Sequence, residues 1–302
     1  KPNKKVREFK TIQSAIQSIQ SDDQTGEYTI TVYENYILTD SDINQLRDFN
    51  RENVSFVIKG LNNDVELKIT NSIRLSGDTK FEHIVLDYGT NVGNGIYARG
   101  HKLEMGEHIS MKGTGGPILI GGDNGKDVDK SEIIVKSGRY PAIYGGGYEE
   151  YSGVHGNVTI ELHGGEVTGD IYAGSQNTGL ISTGTTEIKL AGGIVKGVVS
   201  GASKLLGLEN SNDVNIHLQG TNLNEVYGGY VESKPDEDDT GFTTIYAEKT
   251  CILNKLVGFN KLDIKTGVIL AVTKEFNPKG GIRETGVSEQ ICLNENSKLI
   301  KP

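Results

Sequence analysis

The sequence predicts an all-β fold, a right-handed parallel β-helix (solenoid) with a short N-terminal capping helix. Three observations predict it: an internal repeat, a period-two apolar pattern inside each copy, and glycines at fixed places between the strands. Segments 157–175 (NVTIELHGGEVTGDIYAGS) and 185–203 (TTEIKLAGGIVKGVVSGAS) share one register of apolar residues and glycines at an offset of about 28 residues. Shortened by a residue, the template fits 132–147 and 213–229, with fainter copies at 81–100, 102–122 and 243–259. Copies recur roughly every 22 to 30 residues, the circumference of a short-sided β-coil with loops of variable length.

Within a copy, Val158, Ile160 and Leu162 alternate with Thr159, Glu161 and His163, as a half-buried strand requires. Gly164-Gly165 then permits a corner, Val167 forms a second short inward strand, Gly169 turns again, and Ile171-Tyr172-Ala173 forms a third. Parallel strands joined by helices would need crossovers of a dozen or more residues, and no 3.6-residue apolar period occurs between Val54 and Leu299. Ahead of the coils, TIQSAIQSIQ places Ile12, Ala15, Ile16 and Ile19 on one helical face with Thr11 as N-cap, a plug for the open end of the core. Residues 41–46 predict a second helical turn, and 28–33 a strand. The chain is expected to be one domain, with 1–26 the N-terminal cap, 27–260 the main coils and 261–302 thinner terminal coils, excised from a larger surface protein.

Forty glycines in 302 residues occur without a Gly-X-Y period, which excludes collagen. Forty acidic against 31 basic residues, a net charge of -9, argue against nucleic acid and anionic membrane as partners. Apolar runs fall short of the roughly 18 residues a membrane span needs, so no membrane insertion is expected. Cys251 and Cys292 are too few for a disulfide framework and have no CxxC spacing, so two buried thiols are expected.

The TIQSAIQSIQ helix ahead of a strand, followed by GG-x-V-x-x-x-I-Y-A-G coils, resembles the pectate-lyase-like superfamily of right-handed β-helices. The pattern is most similar to the glycine-rich β-helical regions of cell-wall-anchored surface proteins in Gram-positive bacteria. The resemblance spans Thr11 to about Phe259 and implies an extracellular, cell-surface or cell-wall location. It does not imply one activity, because such folds include lyases, hydrolases, tailspikes and non-catalytic adhesins.

Sites must therefore decide. A polygalacturonase-like hydrolase needs aspartates on adjacent coils, yet outside the first coil the only adjacent pair is Asp238-Asp239 in an acidic loop. The Arg-x-Pro-x-x-Arg element of pectate lyases is absent: Arg139-Tyr140-Pro141 has no basic residue after it. Asp123, Asp127 and Asp129 form a weak calcium candidate, as do Asp236, Glu237, Asp238 and Asp239, without EF-hand spacing. No other cofactor is expected.

The stronger signal is the residue after the inward Ile or Val of the third strand, which by period two points outward: Tyr97, Leu119, Tyr144, Tyr172, Ser200, Tyr227 and Val257. Coils about 4.8 Å apart would set such tyrosines near the rise of successive sugars. Tyr148 and Tyr151 in the loop GGGYEEYSG, and Tyr230 after Tyr227, flank this face. The expected function is a monomeric, non-catalytic binding or adhesion module for an extracellular glycan or host surface ligand. The alternative is a lyase or glycoside hydrolase acting on an acidic polysaccharide.

Overall fold

The computed structural model describes residues 7–91, 93–149, 152–177, 184–204, 213–229, 231, 241–279 and 291–302. It is a parallel β-solenoid of about 8 turns, consistent with a right-handed β-helix. Helix α1 (Ile12–Gln20) begins at Thr11, whose hydroxyl accepts the N–H of Ser14, and it buries Ile12, Ala15, Ile16 and Ile19. Strand β1 (Gly26–Val32) follows, then β2 (Tyr36–Leu38), helix α2 (Asp40–Arg47) and strand β3 (Val54–Gly60). Among the described residues no helix is long and apolar enough to cross a membrane.

From β3 onward each turn contributes one strand to a long sheet and one to a second sheet, and the turns as far as Ile194–Val195 add a short strand of a third face between them. Among the described residues the long sheet has eleven strands, from β1 to Ile291–Leu293, and the second has ten, from Ile73–Arg74 to Lys298–Ile300. Among the described residues every strand pairing is parallel. The two clearest repeats pair in the register read from the sequence, with Ile160 beside Ile188 and Leu162 beside Leu190.

The lumen is one continuous apolar core. Val158–Leu162, Thr186–Leu190 and Val214–Leu218 each bury alternate residues, so every coil covers the apolar face of the one beneath it. Glycines at the corner after the second sheet let the coils touch through main chain. A Cβ at Gly145 would strike the carbonyl oxygen of Ala173 and come within 2.6 Å of Val158 Cγ1.

The N-terminal cap is built around a buried acid. Asp42, 0% exposed, closes a capping box at the start of α2: its carboxylate accepts the N–H of Thr39 at 2.9 Å, while Thr39 Oγ1 accepts the Asp42 N–H. The same carboxylate accepts the Gln13 N–H at 2.6 Å and the Tyr36 hydroxyl at 3.0 Å. One side chain thus serves the N-termini of both helices, where orphan N–H groups and the helix dipole favour a negative charge.

Candidate functional site

The outer face of the second sheet carries the aromatic column. Its register runs Arg74, Tyr97, Ile120, Tyr144, Tyr172, Ser200, Tyr227, Val257. The expected member Leu119 is corrected to Ile120: Leu119 pairs with Ile96 and Ile143 and points into the core. In Ile118-Leu119-Ile120 every position is apolar, so alternation alone supplies no phase.

The column stands outside the lumen but is not open to water. Tyr97 is 6% exposed, Tyr144 and Tyr172 are 4%, and Tyr227 is 6%. Tyr97, Ile118, Ile120, Tyr144 and Tyr172 form a second apolar cluster, separate from the main core, against which Ala142, Tyr148, Val198 and Val231 pack. Tyr144 and Tyr172 stack almost parallel, with ring centroids 5.6 Å apart and planes 6° from one another. Half-buried Tyr148 meets Tyr144 edge-on at 6.0 Å. Burial pushes the Tyr97, Tyr144 and Tyr227 phenols above their ordinary value.

Charge closes the column at both ends. The Arg74 guanidinium lies 5.5 Å from the Tyr97 ring centre, and the Lys255 ammonium 6.0 Å from that of Tyr227. Beside the tyrosines runs a polar rim. Tyr172 donates to Asp170 at 3.2 Å, Tyr227 to Glu225 at 3.0 Å, and Lys255 donates to the Tyr227 oxygen at 3.3 Å. Lys255 also sits 3.7 Å from Glu225 and 3.8 Å from Glu275. Sequence reasoning missed this rim. Its signal was present: Asp170 and Glu225 each precede a column tyrosine by two residues, the spacing that puts both side chains on one face.

Ser200 interrupts the column, fully buried, with its hydroxyl donating to the Gly229 carbonyl oxygen at 2.8 Å. Tyr151 and Tyr230 lie outside the described residues, as do Asp236, Glu237, Asp238 and Asp239.

The expected calcium ligands have other partners. Asp123 accepts Arg99 Nε at 2.9 Å and the Asn124 N–H at 2.8 Å. Asp127 accepts the Gly153 N–H at 2.7 Å and lies 3.1 Å from His155 Nε2. Asp129 borders an open cleft beside Arg99, His101 and Lys130. Among the described residues no three His, Cys, Asp or Glu side chains converge to hold a metal ion.

The long sheet's outer face carries a separate ladder of charge. Glu161 pairs with Lys189 at 2.8 Å and His163 at 2.9 Å, and His217 stands between Glu187 at 3.0 Å and Glu248 at 2.7 Å. These half-exposed pairs each contribute at most about 1 kcal/mol.

Compared with family models, with curated proteins and with solved structures, the chain matches none.

Proposed function

We propose that this chain is a non-catalytic binding module of the cell exterior, presenting the outer face of its second sheet to a glycan or another surface ligand. One observation carries the reading: aromatic and hydrogen-bonding groups repeat in register on successive coils, as in Tyr144 over Tyr172, with carboxylates and an ammonium along their edge. A polymer with a repeat near the coil spacing of about 4.8 Å meets equivalent groups at each step. Weak contacts then add along a frame that needs no ordering on binding.

Because the ring faces are buried, the proposed contact runs along the edge of the column. Tyr148 supplies a half-buried ring, and Asp170, Glu225 and Lys255 supply hydrogen bonds to hydroxyl-rich ligands. The superfamily resemblance and a cell-surface or cell-wall location belong to this proposal.

The test is binding to an array of immobilised glycans by the unaltered protein and by Tyr148→Ala and Lys255→Ala. Loss of the bound signal in both variants, with unchanged circular dichroism, is the expected result. Binding that survives both substitutions overturns the placement. Release of soluble product from polygalacturonate assigns the chain to the polysaccharide-cleaving alternative.

A further inference from the structure

The N-terminal end of the solenoid carries an unpaired strand. Among the described residues β1 pairs with β3 alone and stands at the edge of the long sheet. Gly26 donates to Asn53 and the Val32 carbonyl accepts from Leu61, so the even-numbered residues turn their main-chain groups toward β3 and its neighbours. Alternation then directs the N–H and C=O groups of Glu27, Thr29 and Thr31 to the open side. Among the described residues none of these groups has a hydrogen-bond partner. A strand seven residues long, with neither proline nor bulge, is a ready template for another strand.

That open edge borders a groove of about 790 Å³ between β1 and α1. Its floor includes Ala15 and Ile19 of α1 and Ile30 and Val32 of β1, and exposed Phe9 and Tyr33 flank it. Among the described residues four carboxylates line it, Glu8, Asp22, Glu27 and Glu34, against two cationic side chains, Arg7 and Lys10. Arg7 is further engaged with the Ser18 hydroxyl at 2.8 Å. A full coil of a second copy is a poor fit, because α1 and α2 pack together over the core beside β1.

We infer that this groove captures an extended, cationic segment of another polypeptide, which adds a strand to the free edge of β1. Main-chain hydrogen bonds to Glu27, Thr29 and Thr31 supply affinity. The apolar floor receives alternate side chains, and the carboxylates select lysine or arginine on the others. This site is independent of the aromatic face and does not rest on the glycan proposal.

The probe is a fluorescent peptide of alternating valine and lysine, about nine residues long, enough to span β1. Its partner is the full chain, with fluorescence anisotropy and amide hydrogen exchange as readouts. Saturable binding with slowed exchange at Glu27, Thr29 and Thr31 is expected. Thr29→Pro removes one open-side N–H while leaving the β3 pairing intact, as edge positions tolerate, and should weaken binding by about tenfold or more. Glu27→Lys with Glu34→Lys should weaken it by a similar factor without touching the main chain, which keeps the test valid if the proline variant misfolds.

The inference is overturned by equal binding of a peptide N-methylated at every residue, which has no main-chain N–H left to donate to β1. Absence of binding or of slowed exchange overturns it as well. So does tighter binding after removal of residues 1–6, which would make the chain's own N-terminus the occupant, or concentration-dependent dimerisation through β1.

Discussion

The Asp42 carboxylate, carried on α2, accepts the main-chain N–H of Gln13 in the first turn of α1 at 2.6 Å. A single buried acid therefore couples two helices and β2, through Tyr36, into one cap. Asp42→Ala leaves the Gln13 and Thr39 N–H groups unsatisfied and should cost about 2–4 kcal/mol, read from the denaturant midpoint. Hydrogen exchange should rise first in α1 and α2, since coils beyond the cap depend mainly on their own neighbours.

Tyr144→Ala should destabilise the chain by about 3–4 kcal/mol, because it removes a 4% exposed ring stacked on Tyr172. Tyr148→Ala, at a half-buried site, should cost about 1 kcal/mol. Thermal unfolding of the two variants separates a packing role from a ligand-contact role, and for that reason the binding test above uses Tyr148.

Two glycines should respond oppositely to alanine. At Gly145 the added methyl group meets the Ala173 carbonyl oxygen and Val158, so Gly145→Ala should lose about 2–4 kcal/mol by forcing adjacent coils apart. At Gly93 nothing lies within 4 Å of the added atom and φ is not in the left-handed region, so Gly93→Ala should gain about 0.4–1 kcal/mol from a less flexible unfolded chain. Chemical denaturation of both proteins checks the pair.

Acid should weaken the long sheet. Burial raises the Glu161 and Glu104 carboxyls, but hydrogen bonds and charge from Lys189 and His163, and from Lys136 and Lys80, outweigh it and hold both below their ordinary value. A folded value below the unfolded 4.5 gives stability that is present above that pH and lost as pH falls through the lower folded value. The unfolding temperature should therefore drop from about pH 6 to about pH 3, and the drop should be smaller in Glu104→Gln, Glu161→Gln.

Burial pushes the Cys251 thiol up to about 11 from its ordinary 9.0. At pH 8 it should react with iodoacetamide about a hundredfold more slowly than an exposed thiol, since only the thiolate attacks. Mass spectrometry of timed, quenched samples measures the rate.

How far the sequence revealed this architecture depended on local contrast. Where apolar and polar residues alternate, as in Val158–Leu162 and Thr186–Leu190, register could be read to the residue, and Thr11 marked its helix start correctly. At Ile118–Ile120 contrast vanished and the phase slipped by one. The direction of the column tyrosines followed from period two. Their burial did not, because it depends on Val198, Val231 and Tyr148 arriving from other strands and loops, a tertiary packing that no alternation encodes.

At Gly145 the contact between coils is made by main chain, with no side chain between them. Pitch there is a property of the peptide unit and is insulated from drift in the connections that leave and rejoin the stack. Such connections can lengthen, shorten or change chemistry while the rungs keep their alignment. A family built on this plan could diversify what it displays without rebuilding what supports the display.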